Sequence, residues 1–139
     1  MNFTVDQAEG GQPVTILRLE GDLDASNFES VIEEGTRLQA AGTTNLLIDL
    51  RQVPFMGSSG LVALHSLALL LAGTGPDDLS AGWEVQHEMA RAVEGGMQPH
   101  LKVLVSSDPG SSLARVMDRT GMNRFIEVCT DEAVAIAAF

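Results

Sequence analysis

The sequence predicts an α/β fold: a mixed, largely parallel sheet with one antiparallel edge. Two observations predict it. Segments that alternate as strands take turns with segments of helical period, and the first two strand-like segments are separated only by "EGGQP", Glu9 to Pro13. Paired glycines and a proline suit a hairpin, whereas parallel neighbours need a connection of helix length. The expected order is strand, strand, helix, strand, helix, strand, helix, strand, helix.

The hairpin pairs Phe3 to Val5 with "VTILRLEG", Val14 to Gly21, whose β-branched residues mixed with charge read as a half-exposed strand. After "GDLDAS" the period becomes 3.6: Phe28, Val31, Ile32 and Leu38 share one face, and Glu29, Glu33, Glu34 and Arg37 take the others. Ser26 stands at the expected N-cap, Glu29 completes an S-x-x-E capping box, and Gly42 is placed to end the helix. "NLLIDL", Asn45 to Leu50, is a nearly continuous apolar run interrupted by Asp49, as expected of a central parallel strand. The loop "RQVPFMGSS" then leads into the apolar helix "GLVALHSLALLLA", whose first turn begins at the serines. Further on, "LKVLVSS" reads as a strand, "SSLARVMDRTGM" as a helix ending near Gly121, "FIEVC" as a last strand and Asp131 to Phe139 as a short terminal helix.

Residues 1–139 are expected to form a single domain, long enough to bury one core, with an insertion at about 73–100. Gly and Pro bracket that insertion, and Val85, Met89, Ala92 and Val93 recur at helical spacing behind Trp83. It reads either as a surface decoration packed by Trp83 or as a lid or partner-contact element.

Composition excludes several function classes. Eight Lys and Arg stand against 19 Asp and Glu, a net charge of −11, which repels a phosphate backbone, so no nucleic-acid partner is expected. The longest apolar run, Gly60 to Gly73, carries His65 and Ser66 and falls short of the roughly 20 residues of a membrane span. "MNFTVDQAEG" has no basic and apolar leader pattern, so a cytoplasmic location is expected. Cys129, in "RFIEVC", reads as core filler, and His65, His87 and His100 are too scattered for a zinc site, so neither metal nor cofactor is expected.

The central stretch "PFMGSSGLVAL", Pro54 to Leu64, sets two hydroxyls between apolar elements. One serine can cap the helix, and the other can carry a charge at its N-terminus, where amides and the macrodipole favour a phosphate. Catalysis has little support: the hydrolase elbow is G-x-S-x-G, "GSSG" is not, and no acid and histidine follow in triad order. A P-loop fails too, because no lysine follows Gly60 and the chain's one lysine is Lys102. Asp22 and Asp24 in "GDLDAS" could suggest Mg²⁺, but a turn with capping carboxylates explains them more simply.

Three segments, "LEGDLDASN", "NLLIDLRQVPFMGSSGLVAL" and "SSLARVMDRTGMNRFIEVCTDEAVA", resemble the STAS domain family, in particular the bacterial anti-sigma factor antagonists. The resemblance implies a STAS-like sheet of four to five strands with helices packed mainly on one face. It implies a non-enzymatic partner switch: a GHKL-type serine kinase, often itself the anti-sigma factor, binds the unphosphorylated antagonist, phosphorylation ends the association, and a phosphatase resets it. By position in the family's D-S-[ST]-G-L motif the phosphoacceptor is Ser58, with Ser59 beside it, Gly60 permitting close approach and Asp24 in the neighbouring loop. Met56 and Phe55 are expected to be exposed and to offer apolar contact, with a core role for Phe55 as the alternative. The family's acidic residue before the phosphoserine is Gly57 here, which also admits positive φ. A second reading keeps the fold and drops the phosphorylation: a STAS subunit of an ABC (lipid) transport complex or a stress-signalling scaffold.

Overall fold

The computed structural model describes residues 2–72, 98–108 and 111–139. Its sheet has five strands in the order β1-β2-β3-β4-β5: Asn2–Glu9, Pro13–Glu20, Leu46–Gln52, Leu101–Leu104 and Glu127–Cys129. Among the described strands only the β1–β2 hairpin is antiparallel, and its ends pair Glu9 with Pro13, as the short glycine-rich link requires. Helices α1 (Phe28–Ala40), α2 (Ser58–Leu71), α3 (Leu113–Arg119) and α4 (Glu132–Ala137) are the described α-helices. None of them is long and apolar enough to cross a membrane. The bulk of the expected insertion, residues 73–97 with Trp83 and the helical pattern behind it, lies outside the described residues. Its far end is tied to the sheet: Gln98 donates to Phe125 O at 2.8 Å, and Leu46 donates to His100 O at 2.9 Å.

Alternate residues of a strand face opposite sides of the sheet. One side carries Leu17, Leu19, Leu46, Ile48, Leu50 and Val103, which meet Val31 and Leu38 of α1, Leu64 and Leu67 of α2, and Met117 of α3 in the main core. The other side carries Val14, Ile16, Leu47 and Leu104 under Ala135 of α4. Helices therefore pack mainly on one face, with one short helix on the other. That short helix corrects the expectation of a half-exposed second strand, because β2 is buried from Val14 to Leu17 on both faces.

Arg18, the basic residue of β2, lies beneath the start of α4 in an ion cluster. Its guanidinium reaches Asp6 at 2.6 Å, Asp49 at 2.8 Å and Glu132 at 2.5 Å, and Arg51 reaches Asp49 at 2.9 Å and Glu132 at 3.0 Å. Asp49, the odd residue of the apolar β3 run, is buried to 4% exposure because these two arginines compensate it. Burial pushes its carboxyl upward, but the hydrogen bonds from Arg51 and Arg18 together outweigh that and hold it below its ordinary value.

The boundaries of α1 follow one expectation and overturn another. Its end is a Schellman motif, with Thr43 N–H bonded to Leu38 O, Gly42 N–H to Gln39 O and Gly42 at φ 109°. Its start is not capped by Ser26. Asp24, two residues earlier, takes the Ser26 amide at 2.9 Å and the Ser26 hydroxyl at 2.5 Å, while its own carbonyl accepts from Phe28 N. Asn27 closes the turn from the other side, accepting from Asp24 N and donating to Asp22 O. The Ser26 hydroxyl donates to the Asp24 carboxylate, and because the helix starts at Phe28 the capping position is Asn27, so Ser26 stands one residue too early to cap it.

Candidate functional site

Parallel strands send their following loops to the same end of the sheet. Here the loop after β2, Gly21 to Asn27, meets the loop after β3, Val53 to Gly57. Leu23 N–H donates to Phe55 O at 2.9 Å, and Gly57 N–H donates to Leu23 O at 2.9 Å, a one-rung parallel ladder centred on Leu23 and Met56. This rung makes Phe55, Met56 and Gly57 behave as a strand, so their side chains alternate. Met56 turns inward to 6% exposure and joins the main core, which corrects its expected exposure. Phe55 turns outward and is 55% exposed, which also removes its alternative role as a core residue.

Gly57 is the residue before α2. Its backbone is extended, φ −81° and ψ 179°, so the positive φ that glycine permits is not used. A Cβ built there would meet Phe55 Cε1 at 3.7 Å, Cζ at 3.9 Å and Leu23 O at 4.0 Å, all ordinary contacts. The family's acidic residue would therefore fit this backbone. Gly60 is different: a Cβ would come 2.4 Å from Met56 Cγ and 3.0 Å from Leu23 Cγ. Close approach of the helix start to both loops depends on it.

Ser58 is the first residue of α2 and is exposed, and Ser59 beside it is half-buried. Neither caps the helix, because the capping position one residue earlier belongs to Gly57, which has no side chain to accept with. The expectation of a capping serine is thereby overturned. The first turn holds no acidic residue either, so no side chain within it offsets the positive end of this 14-residue helix. Asp24, in the adjoining loop, has its carboxyl held below the ordinary value by hydrogen bonds from the Ser26 hydroxyl and then the Ser26 amide. Further down α2, His65 is buried with its ring 4.8 Å from that of Phe125, centroid to centroid, and burial lowers its pKa to about 4.

The STAS domain family model matches residues 7–75, the stretch from β1 through α2 that contains both loops and both serines. The chain carries a STAS domain. Solved structures extend that likeness over nearly the full length. An anti-sigma factor antagonist from Mycobacterium paratuberculosis superposes with a TM-score of 0.64 at 16% identity, over 99% of this chain and 93% of that one. A candidate anti-sigma factor antagonist from Thermotoga maritima gives 0.66 at 13% identity, over 96% and 91%. The Bacillus cell fate determinant SpoIIAA, in its phosphorylated form, gives 0.50 at 17% identity, over 96% of each chain. At such identities the likeness is one of fold, and it places α3, β5 and α4 in the same STAS-type architecture as the matched segment. No curated protein matches the chain.

Three features of the site were missed by sequence reasoning: the Leu23 rung, the inward turn of Met56 and the Asp24 bonds to Ser26. The first two rest on a pairing between residues about 30 positions apart and left no local signal. The third did have one, since an Asp two residues before a Ser is a common local turn.

Proposed function

We propose that this STAS domain is an anti-sigma factor antagonist-like partner switch: it binds a GHKL-type serine kinase that is also an anti-sigma factor, and phosphorylation of Ser58 controls the association. The partner surface comprises Asp24, Gly57, Ser58, Ser59 and Gly60, with Met56 supporting it from the core. One observation carries the reading: Ser58 offers an exposed hydroxyl, bonded to no other described side chain, at the uncapped start of α2. A phosphoserine adds a charge of about −1.5 to −2, which is favourable beside helix amides in water and costly inside a desolvated protein interface. The bound and free states are thereby discriminated by one covalent change. A phosphatase returns the chain to the binding form, the setting is the cytoplasm, and no catalytic step belongs to the chain itself.

Gly57 favours the second reading, a STAS subunit of a transport complex or a stress-signalling scaffold that is never phosphorylated, since it removes the family's acidic neighbour of the serine. The two are separated by incubating the chain with the cognate kinase and ATP and locating phosphate by mass spectrometry. Phosphate on Ser58, together with loss of kinase binding in Ser58→Glu, supports the switch. An unmodified Ser58 with kinase affinity unchanged in Ser58→Glu rejects it.

A further inference from the structure

Among the described residues the exposed large apolar side chains are Val5, Phe55 and Val134, and only Phe55 is aromatic. It stands three residues before Ser58 and is held outward by the Leu23 rung, with its carbonyl bonded to Leu23 N and Met56 pinned inward beside it. The backbone of 55–57 cannot turn Phe55 into the core without turning Met56 out of it. A rigidly presented aromatic loses little freedom on binding, and interfaces concentrate their energy in such anchors. Gly57 shares the outer face of the rung, and its missing side chain leaves the nearby ring edge bare, although the space would admit one. The surroundings are acidic, with Asp22, Asp24 and Glu29 in the neighbouring loop and helix start.

We propose that Phe55 is the apolar anchor of the partner surface and Gly57 its specificity determinant, so that the partner presents an apolar pocket ringed by basic side chains. This rests on the partner-switching reading and adds how the partner is chosen: an acidic side chain at 57 would set a charge where the pocket wall must close on the ring. It also gives the phosphate its leverage, since a dianion on Ser58 would lie at the rim of a contact that excludes water.

The test is titration calorimetry of the unphosphorylated full chain against the GHKL-type kinase from the same genome. Phe55→Ala and Gly57→Asp are each expected to raise Kd about tenfold or more, with thermal midpoints near that of the parent, and Val134→Ser is expected to leave Kd unchanged. Weakening of parent binding with added salt supports the basic ring, and salt-independent binding overturns it. If the parent binds and Phe55→Ala binds within twofold of it, the anchor is wrong while the partner switch stands. If Gly57→Asp binds as the parent does, the specificity role is wrong. A parent chain that does not bind the kinase overturns the switch reading and the anchor with it.

Discussion

Gly60 and Met56 are in contact closer than any side chain at 60 would allow: a Cβ on Gly60 would fall 2.4 Å from Met56 Cγ. Because Met56 is itself pinned by the Leu23 rung, it cannot yield without disturbing the loop that presents Phe55 and Ser58. Gly60→Ala is therefore expected to cost about 1–3 kcal/mol, the usual range for overpacking a filled core, even though alanine is the better helix former. Urea unfolding midpoints of the two chains check this. A variant as stable as the parent would mean that the two loops separate freely.

His65 should make stability depend on pH well above the carboxylate range. Its folded pKa is lowered from 6.5 to about 4 by burial, so the unfolded chain binds the proton more readily. Stability is then full above pH 6.5, falls as pH drops toward 4 and is constant below that as far as this group is concerned. The expected slope is about 1 kcal/mol per pH unit within the window. Denaturant midpoints from pH 4 to 7 should show it in the parent and not in His65→Leu. Equal slopes in both would assign the dependence elsewhere.

Asp49 acts in a lower window. Its folded carboxyl is held below its unfolded value of 3.8, so its contribution is present above pH 3.8 and is lost as pH falls through the folded value. Asp49→Asn leaves Arg18 and Arg51 facing each other with only Glu132 and Asp6 to compensate them. Both arginines reach solvent, so the expected loss at neutral pH is about 1–3 kcal/mol, less than for a fully buried pair. Parent and variant should converge in stability as pH falls below about 3.8, and acid titration of the unfolding midpoint checks it.

What was legible in the sequence was what short-range chemistry decides. The glycine-rich link gave the hairpin, the 3.6 period with Gly42 gave α1 and its end, and the apolar run of β3 gave a central strand. Illegible were the effects of residues far apart in the chain. Whether Met56 or Phe55 faces inward depends on Leu23, and whether β2 is covered on its second face depends on Ala135 and Glu132, more than 100 residues later. Even the cap of α1 turned on where the helix begins: the turn closed by Asp24 and Asn27 starts it at Phe28, one residue later than a cap at Ser26 requires. Asp49 announced itself as an anomaly in an apolar run, and Arg51 is its neighbour two residues on, but Arg18 could be named as its partner only once β2 and β3 were in register.

Ser58 carries the last prediction, in which stability and binding part company. Ser58 makes no cap for α2 and the first turn holds no acidic residue, so Ser58→Ala removes no hydrogen bond from the helix and should leave the midpoint within about 0.5 kcal/mol of the parent. Were the hydroxyl a cap, the same change would cost about 1 kcal/mol. Ser58→Glu, by contrast, places a negative charge at the positive end of the helix and is expected to add about 0.3–1 kcal/mol, shrinking with salt. Thermal melts of the three chains at two ionic strengths distinguish these outcomes. A more stable Ser58→Glu that no longer binds the kinase would mean that the charge does not end the association by unfolding the domain. It would end it at the interface, where the same charge has to be stripped of water.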